Sequence, residues 1–222
     1  MGAEIQQNYR PINGVRIVLS EEVYKRLAGC INLCGYNMGK DNSEFGTMLY
    51  GYRKGMDVIY FERPSYYDDY ETQSGRFNIS ENMIGELADV MANHQEYNCV
   101  AHIHTHPYIK DEANRFLSDA DVNYYKTIMN FRDTIEGRRI YGFGGMLSVA
   151  GDNTQDTDDI SFVYPNPQTG ELMLVPEISV EINGREIPLR KIRAQIRPNT
   201  GSQQPTTFNR TLFNVDDNYD DR

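Results

Sequence analysis

Apolar and polar positions along the chain switch between strand-like and helix-like spacing. Residues 14–19, GVRIVL, form a β-branched apolar run that predicts a strand. The apolar residues that follow have helical spacing and predict a helix that Ser20 caps and Gly35 ends. A second helix is predicted from about Ser80 to His94. Its predicted buried stripe consists of Met83, Ile84, Leu87, Val90 and Met91.

Further strands are predicted where β-branched and aromatic residues cluster between turn signals. They are FGTMLYGY and MDVIYFE, which the turn RKG joins into a hairpin, then NCVAHIHTH, YGFGGMLSVA, ISFVYP, ELMLVP, EISVEI and REIPLR. Asn183-Gly184, between the last two, is a strong hairpin signal. A third helix is predicted from Ser118 to about Phe131, and SYYDDYETQSGR predicts an exposed loop. Together these elements predict an α/β fold, a mixed β-sheet flanked by helices.

The order of the elements divides the chain into four predicted parts. Residues 1–13 are an N-terminal arm, and residues 14–150 are an α/β domain. Residues 151–196 are a β-rich C-terminal extension packed on that domain. Residues 197–222 are rich in Pro, Gly, Ser, Gln, Asn and Asp, a composition that predicts disorder.

Composition and charge narrow the range of partners. The chain has 222 residues and a formal net charge of −10 at pH 7, which disfavours nucleic acid and anionic membrane surfaces as partners. No apolar run approaches the roughly 18 residues of a membrane span, and the start MGAEIQQNYR is not typical of a signal peptide. Cys30, Cys34 and Cys99 are interpreted as small apolar residues rather than disulfide partners. The sequence therefore predicts a cytoplasmic protein.

Three of the four histidines lie in the run HIHTH, at His102, His104 and His106. Alternate residues of a strand share a face, so His104 and His106 would present two imidazoles to one metal ion. Asp121 follows on the first turn of the helix that Ser118 begins. A catalytic zinc takes three nitrogen or carboxylate ligands and keeps a fourth position for water. The spacing predicts a hydrolytic zinc site at His104, His106 and Asp121, and it leaves the general base unassigned.

These residues also have purely structural interpretations. The histidines could be an ordinary strand end, and Ser118 with Asp121 could be only a helix-capping pair. His102 shares the face of the other two histidines but lies deeper in the strand. This favours a packed residue over a fourth ligand, since a fourth protein ligand would close the site to water. Glu44 alone would be interpreted as a solvated loop residue.

Taken together, the residues resemble the zinc-binding signature of the JAMM metalloproteases, also called MPN or JAB domains. The likeness is carried by the run HTHP at residues 104–107, followed by Ser118-x-x-Asp121. In that family a glutamate precedes the signature, with a glycine seven positions after it, and Glu44 and Gly51 match this arrangement. The order of predicted elements over residues 14–150 also agrees with the family.

The resemblance implies a fold and an activity. It implies a JAMM/MPN-like fold with a cytidine-deaminase-like layout, and one catalytic zinc held by His104, His106 and Asp121. It assigns the general base to Glu44 and an oxyanion-stabilising hydrogen bond to Ser118. The implied activity is that of an isopeptidase or peptidase that cleaves after the C-terminus of a ubiquitin-like protein.

The implied partners follow from the branch of the family that the chain most resembles. Its compact, acidic form is similar to the prokaryotic members, which process ubiquitin-like or sulfur-carrier proteins. Some of these members stand beside activating- and conjugating-enzyme homologues, including in phage-defence operons. We therefore expect a ubiquitin-like or sulfur-carrier-like protein as substrate, homologues of those enzymes as further partners, and a role in antiviral defence.

One departure and two alternatives accompany the resemblance. The family usually has seven residues between the second histidine and the serine, whereas this chain has eleven, Pro107 to Leu117. Four extra residues can be looped out at little cost, so the expected change is in substrate contacts rather than in the metal site. A non-catalytic JAMM-like scaffold is the main alternative function. A nucleobase deaminase is disfavoured because its PCxxC ligand pair is absent.

Overall fold

The structure is a computed structural model that describes residues 10–11, 14–37, 43–66, 69–71, 80–108, 117–127, 134–135, 138–150, 159–166 and 169–189. The strands are β1 (Arg10–Pro11), β2 (Arg16–Ser20), β3 (Glu44–Lys54), β4 (Val58–Pro64), β5 (Asp69–Glu71), β6 (Cys99–Tyr108), β7 (Thr134–Ile135), β8 (Arg138–Arg139), β9 (Tyr141–Ala150), β10 (Asp159–Pro165), β11 (Leu172–Val175), β12 (Glu177–Ile182) and β13 (Arg185–Pro188). The helices are α1 (Glu21–Asn37), α2 (Glu81–Asn93) and α3 (Asp119–Thr127).

One large mixed sheet organises the described residues. Its strands follow the order β1-β11-β10-β9-β6-β3-β4-β2-β12-β13, and β5 pairs with β3 beside this path. β3 and β4 form the predicted antiparallel hairpin, whereas β6 runs parallel to β9. The predicted mixed α/β fold is therefore confirmed at this level, a sheet flanked by helices.

The central strand β6 is buried on both faces, and each face has its own apolar core. Ala101 and Ile103 pack with α1, whose stripe of Val23, Leu27 and Ile31 is fully buried. On the opposite face Val100 packs with residues of α2 and α3. Because side chains alternate along a strand, His102, His104 and His106 share the face of Val100 and point toward α3.

Helix starts and turns follow the local chemistry that the sequence predicted. The hydroxyl of Ser20 accepts the backbone N–H of Val23, and the hydroxyl of Ser80 accepts that of Met83. Both serines therefore cap their helices. Asn183 and Gly184 both have positive φ, 51° and 75°, as a tight two-residue hairpin turn between β12 and β13 requires. The three cysteines are buried thiols, as predicted. No helix among the described residues is long and apolar enough to cross a membrane.

Three expectations were wrong in detail. Gly35, expected to end the first helix, lies within α1, which continues to Asn37. Ile84, expected in the buried stripe of α2, is 55% exposed, while Glu86 is buried instead. Glu86 is held there because its carboxylate accepts the backbone N–H of Tyr66 at 3.1 Å and the hydroxyl proton of Ser65. The predicted exposed loop over SYYDDYETQSGR contains the short strand β5, which pairs with β3.

Several expectations concern residues outside the described ranges. The predicted disordered tail at residues 197–222 lies there, as do residues 109–116 of the lengthened loop. Within the described part, residues 159–189 supply strands at both margins of the large sheet. β10 and β11 extend it beyond β9, and β12 and β13 extend it beyond β2.

Candidate metal centre

The two predicted histidine ligands lie side by side on β6. Their Nε2 atoms are 2.9 Å apart, and both side chains are buried. The strand alternation that predicted a shared face is therefore present. The neighbouring residue Thr105 points to the other face, where its hydroxyl accepts the backbone N–H of Phe45 at 2.9 Å. This bond ties the start of β3 to β6 beside the histidines.

Glu44 is the first residue of β3 and lies within the strand rather than ahead of it. The antiparallel register sets Gly46 opposite His104, so the carboxylate two residues earlier reaches the level of His106. The nearest ligand atoms of Glu44, His104 and His106 all lie within 4.8 Å of one another. Glu44 is half-buried, whereas both histidines are buried.

Asp121 approaches the same two nitrogens from α3. Its Oδ1 is 3.2 Å from Nε2 of His104, and its Oδ2 is 3.3 Å from Nε2 of His106. Burial raises the pKa of Asp121, but the adjacent imidazoles of His104 and His106 and the hydrogen bond from Ser118 outweigh burial and hold this pKa below its usual range. The carboxylate is therefore ionised at neutral pH.

Ser118 and Asp121 cap α3 reciprocally. The Ser118 hydroxyl accepts the backbone N–H of Asp121 at 3.2 Å, while Oδ2 of Asp121 accepts the backbone N–H of Ser118 at 2.7 Å. The Ser118 hydroxyl also donates to Oδ2 of Asp121 at 2.7 Å. The Asp121 carboxylate therefore takes part in the helix cap and also lies against the two histidines.

Tyr125, a residue that the sequence analysis missed, contacts His104 on the side of the ring away from Asp121. Its hydroxyl lies 2.9 Å from Nδ1 of His104 and donates to the backbone carbonyl of Gly145 at 2.8 Å. The ring is fully buried, and burial raises the pKa of Tyr125 well above its usual value of 10.0, so the phenol keeps its proton. The only sequence signal is its position one helical turn after Asp121, on the same face of α3.

His102 is buried next to His104, farther from Asp121. Its ring stacks on His104 with centroids 5.9 Å apart and meets the edge of the Tyr124 ring at 5.4 Å. Burial lowers the pKa of His102 well below its usual value of 6.5 and keeps the imidazole neutral at pH 7. This packing agrees with the expectation of a packed residue rather than a fourth ligand.

Gly51, the glycine of the motif, lies at a bulge between β3 and β4. A Cβ there would stand 2.0 Å from the carbonyl oxygen of Tyr60 and 2.8 Å from Cα of Phe61. No side chain fits at that distance from a neighbouring backbone. Backbone packing therefore explains why glycine occupies this position of β3, the strand that also carries Glu44.

The donor atoms suit zinc in kind and in spacing. Zinc binds imidazole nitrogen and carboxylate oxygen at about 2.0–2.2 Å, so neighbouring ligand atoms of a tetrahedral site lie about 3.3 Å apart. The separations among His104, His106 and Asp121 are 2.9, 3.2 and 3.3 Å. The histidines approach different oxygens of Asp121, and a small rotation of the carboxylate would direct one oxygen at a shared ion.

Comparison with known proteins adds little to this geometry. No protein-family model and no curated protein matches the chain. Among solved structures, the chain is similar to the solution structure of protein DSY2949 from Desulfitobacterium hafniense, with 14% identity and a TM-score of 0.43 over 74% of this chain and 92% of that chain. A similarity at this level carries no argument about function, so the candidate site rests on its own residues.

Proposed function

We propose that the chain is a zinc-dependent isopeptidase or peptidase of the JAMM type that cleaves after the C-terminus of a ubiquitin-like protein. The observation that carries the proposal is the convergence of four side chains from three elements around the paired Nε2 atoms. Glu44 comes from β3, His104 and His106 from β6, and Asp121 from α3. The substrate class is supported by the resemblance of these residues to the JAMM signature.

His104, His106 and Asp121 would hold the ion. Zinc, when bound, supplies a water acidified to a pKa of about 7 and so makes hydrolysis accessible at neutral pH. The ionised state of Asp121 favours this role, because a carboxylate must be deprotonated to bind a metal.

Glu44 acts as the general base. Its carboxylate takes a proton from the attacking water and passes it to the leaving nitrogen as the C–N bond breaks. The ligand atoms of Glu44 and the two histidines lie within 4.8 Å of one another, so the Glu44 carboxylate could accept a proton from a water held at the same centre. The partial exposure of Glu44 also allows the substrate to approach from the same side.

Ser118 stabilises the oxyanion that forms at the attacked carbonyl. Its hydroxyl donates to Oδ2 of Asp121 at 2.7 Å and would turn from that oxygen toward the substrate carbonyl. A single oxyanion donor of this kind is worth about 10²–10³-fold in rate.

One feature of the geometry favours a second candidate function. Glu44 lies close enough to both histidines to be a ligand itself. If Glu44, His104, His106 and Asp121 all bound the ion, the site would be closed to water and the zinc would be structural. The chain would then be a non-catalytic scaffold of JAMM type.

Glu44→Gln separates the two functions. The chain, the variant and a chelator-treated sample are incubated with ubiquitin-like proteins fused to a reporter, and zinc content is measured in parallel. We expect cleavage by the untreated wild type alone and one zinc per chain in both wild type and variant. Glu22→Gln, on the exposed side of α1, removes the same charge away from the site and should leave cleavage unchanged.

Three results would contradict parts of the proposal. Equal cleavage by Glu44→Gln would remove Glu44 as the base. Loss of zinc from Glu44→Gln, with no cleavage by the wild type, would favour the closed structural site. A wild-type chain that cannot be loaded with zinc would exclude the enzyme and the structural zinc site, and would leave a metal-free scaffold.

A further inference from the structure

A short chain of hydrogen bonds behind the metal centre fixes where its protons are. It runs from Nδ1 of His104 to the Tyr125 hydroxyl at 2.9 Å and from that hydroxyl to the carbonyl oxygen of Gly145 at 2.8 Å. A carbonyl oxygen has no proton and can only accept. A phenol has one proton, so Tyr125 must donate it to Gly145, and His104 must supply the proton of the other bond.

We propose that Tyr125 is a positioning residue that holds His104 in the tautomer protonated at Nδ1. Nε2 of His104, which faces Asp121 and His106, then carries the lone pair and is the atom able to bind a metal. At most one proton fits between the two Nε2 atoms, which are 2.9 Å apart, and this assignment places it on His106, whose Nε2 also lies 3.3 Å from Oδ2 of Asp121. Nδ1–H donation to an outer partner is the usual way in which a protein selects the ligating nitrogen of a histidine.

The surrounding backbone holds the Tyr125 ring in place. A Cβ on Gly144 would stand 2.4–2.6 Å from three ring carbons of Tyr125, so the ring occupies the space that a side chain would take. Gly145, the next residue, supplies the acceptor carbonyl. β9 thus contributes both the room for the ring and the acceptor for its hydroxyl.

One helix couples the two roles. Asp121 and Tyr125 are four residues apart on α3, so they project from the same face about one turn apart. Asp121 reaches Nε2 of His104, and Tyr125 reaches Nδ1 of the same ring. Packing of α3 against the sheet therefore positions Asp121 and, through Tyr125, also orients the imidazole of His104.

The tautomer can be measured without a metal or a substrate. Long-range proton–nitrogen correlation spectra of the metal-free, full-length chain at pH 8 distinguish Nδ1–H from Nε2–H imidazoles, and a His104→Gln spectrum assigns the signal. We expect the Nδ1–H form in the wild type. An Nε2–H form would overturn the proposal. This arm is independent of the proposed function, because it holds or fails whatever the chain hydrolyses.

The second arm measures metal affinity and rests on the proposed zinc site. Tyr125→Phe keeps the ring against Gly144 and removes only the hydroxyl, so zinc affinity, measured by chelator competition, should fall about 10- to 100-fold. Tyr97→Phe is the matched control, since it removes another buried tyrosine hydroxyl, bonded to Glu62 at 3.0 Å. It should leave zinc affinity within about twofold of the wild type.

The two arms decide the proposal together. An Nδ1–H signal that Tyr125→Phe loses, with weakened zinc binding and an unaffected control, supports it. Zinc binding by Tyr125→Phe as tight as that of the wild type overturns it. If Tyr125→Phe does not fold, the wild-type spectrum still decides, because it needs no variant. A chain that takes up no zinc but shows the Nδ1–H form would sink the proposed function and leave this inference standing.

Discussion

Ser118 shows how a structural and a chemical role are combined at the scale of one residue. Ser118 caps α3, because its hydroxyl accepts the backbone N–H of Asp121. The same hydroxyl also donates to the Asp121 carboxylate, which approaches the two histidines. A loss of activity in a Ser118 variant would therefore be ambiguous without a control that changes the cap alone.

Ser80→Ala supplies that control for Ser118→Ala. The Ser80 hydroxyl caps α2 by the same bond, to the backbone N–H of Met83 at 3.2 Å. Both variants should lower the free energy of unfolding by about 1 kcal/mol, measured by denaturant titration. Only Ser118→Ala should also lower kcat, by about 10²–10³-fold, because only Ser118 lies beside the candidate metal centre and is the proposed oxyanion donor. Equal kcat in both variants would restrict Ser118 to capping.

What the sequence could predict about the site depended on how local each signal was. The period of a strand determines that His104 and His106 share a face, and their 2.9 Å contact agrees with it. Glu44 was found through the motif alone, because its meeting with His106 depends on the pairing of two strands far apart in sequence. Tyr125 was missed because its partners, Gly144 and Gly145, lie on a third element.

At the scale of elements, β3 positions Glu44, the proposed general base, and the bulge in β3 depends on a residue without a side chain. The register of β3 and β4 shifts between Tyr50 and Gly51. The backbone of β4 approaches Gly51 there, and the site strand β6 lies on the other side of β3. The match of Gly51 to the motif therefore has a packing explanation that needs no contact with zinc.

Gly51→Ala tests this explanation against Gly85→Ala. A methyl group at Gly51 would meet the Tyr60 carbonyl oxygen at 2.0 Å, and the strands must separate to admit it. We expect a loss of about 3 kcal/mol in the free energy of unfolding. Gly85 is exposed on α2 with open space around it, so alanine there should stabilise by about 0.5–1 kcal/mol. A neutral Gly51→Ala would show that the bulge is not required.

Helix α2 shows why periodicity alone misplaced a buried position. An apolar stripe predicted Ile84 inside, but the inward position is taken by Glu86. Its carboxylate accepts bonds from Ser65 and from the backbone of Tyr66, and the Arg63 guanidinium lies 3.8 Å away. A charged residue is tolerated in such a place only when it is paired, and its partners lie outside the helix.

At the scale of the whole molecule, the C-terminal strands are integral to the sheet that carries the site. β10 pairs with β9, and β12 pairs in parallel with β2, with Ile178 opposite Ile17. Val175 and Val180 are buried in the same apolar core as Leu147. The strands were predicted one by one from their composition. Their distribution over both margins of the sheet was not, because β2 and β12 are joined by pairing across most of the chain.

Shortened chains test whether residues 159–189 are needed for the fold. A chain ending at residue 158 loses the neighbours of β9 and β2, so it should leave two sheet margins and their apolar side chains uncovered. We expect it to unfold or aggregate. A chain ending at residue 196 keeps every described strand, and it should unfold cooperatively at a Tm within a few degrees of the full chain.

The buried thiols provide the readout for both shortened chains. Burial raises the pKa of Cys99 to about 12, so at pH 8 almost none of it is the reactive thiolate. Cys30 and Cys34 are buried in the same core. A disulfide reagent should therefore label the chain ending at residue 196 as slowly as the full chain, and label the shorter chain at all three cysteines within minutes. Slow labelling of the chain ending at residue 158 would mean that residues 14–150 form their core without the C-terminal strands.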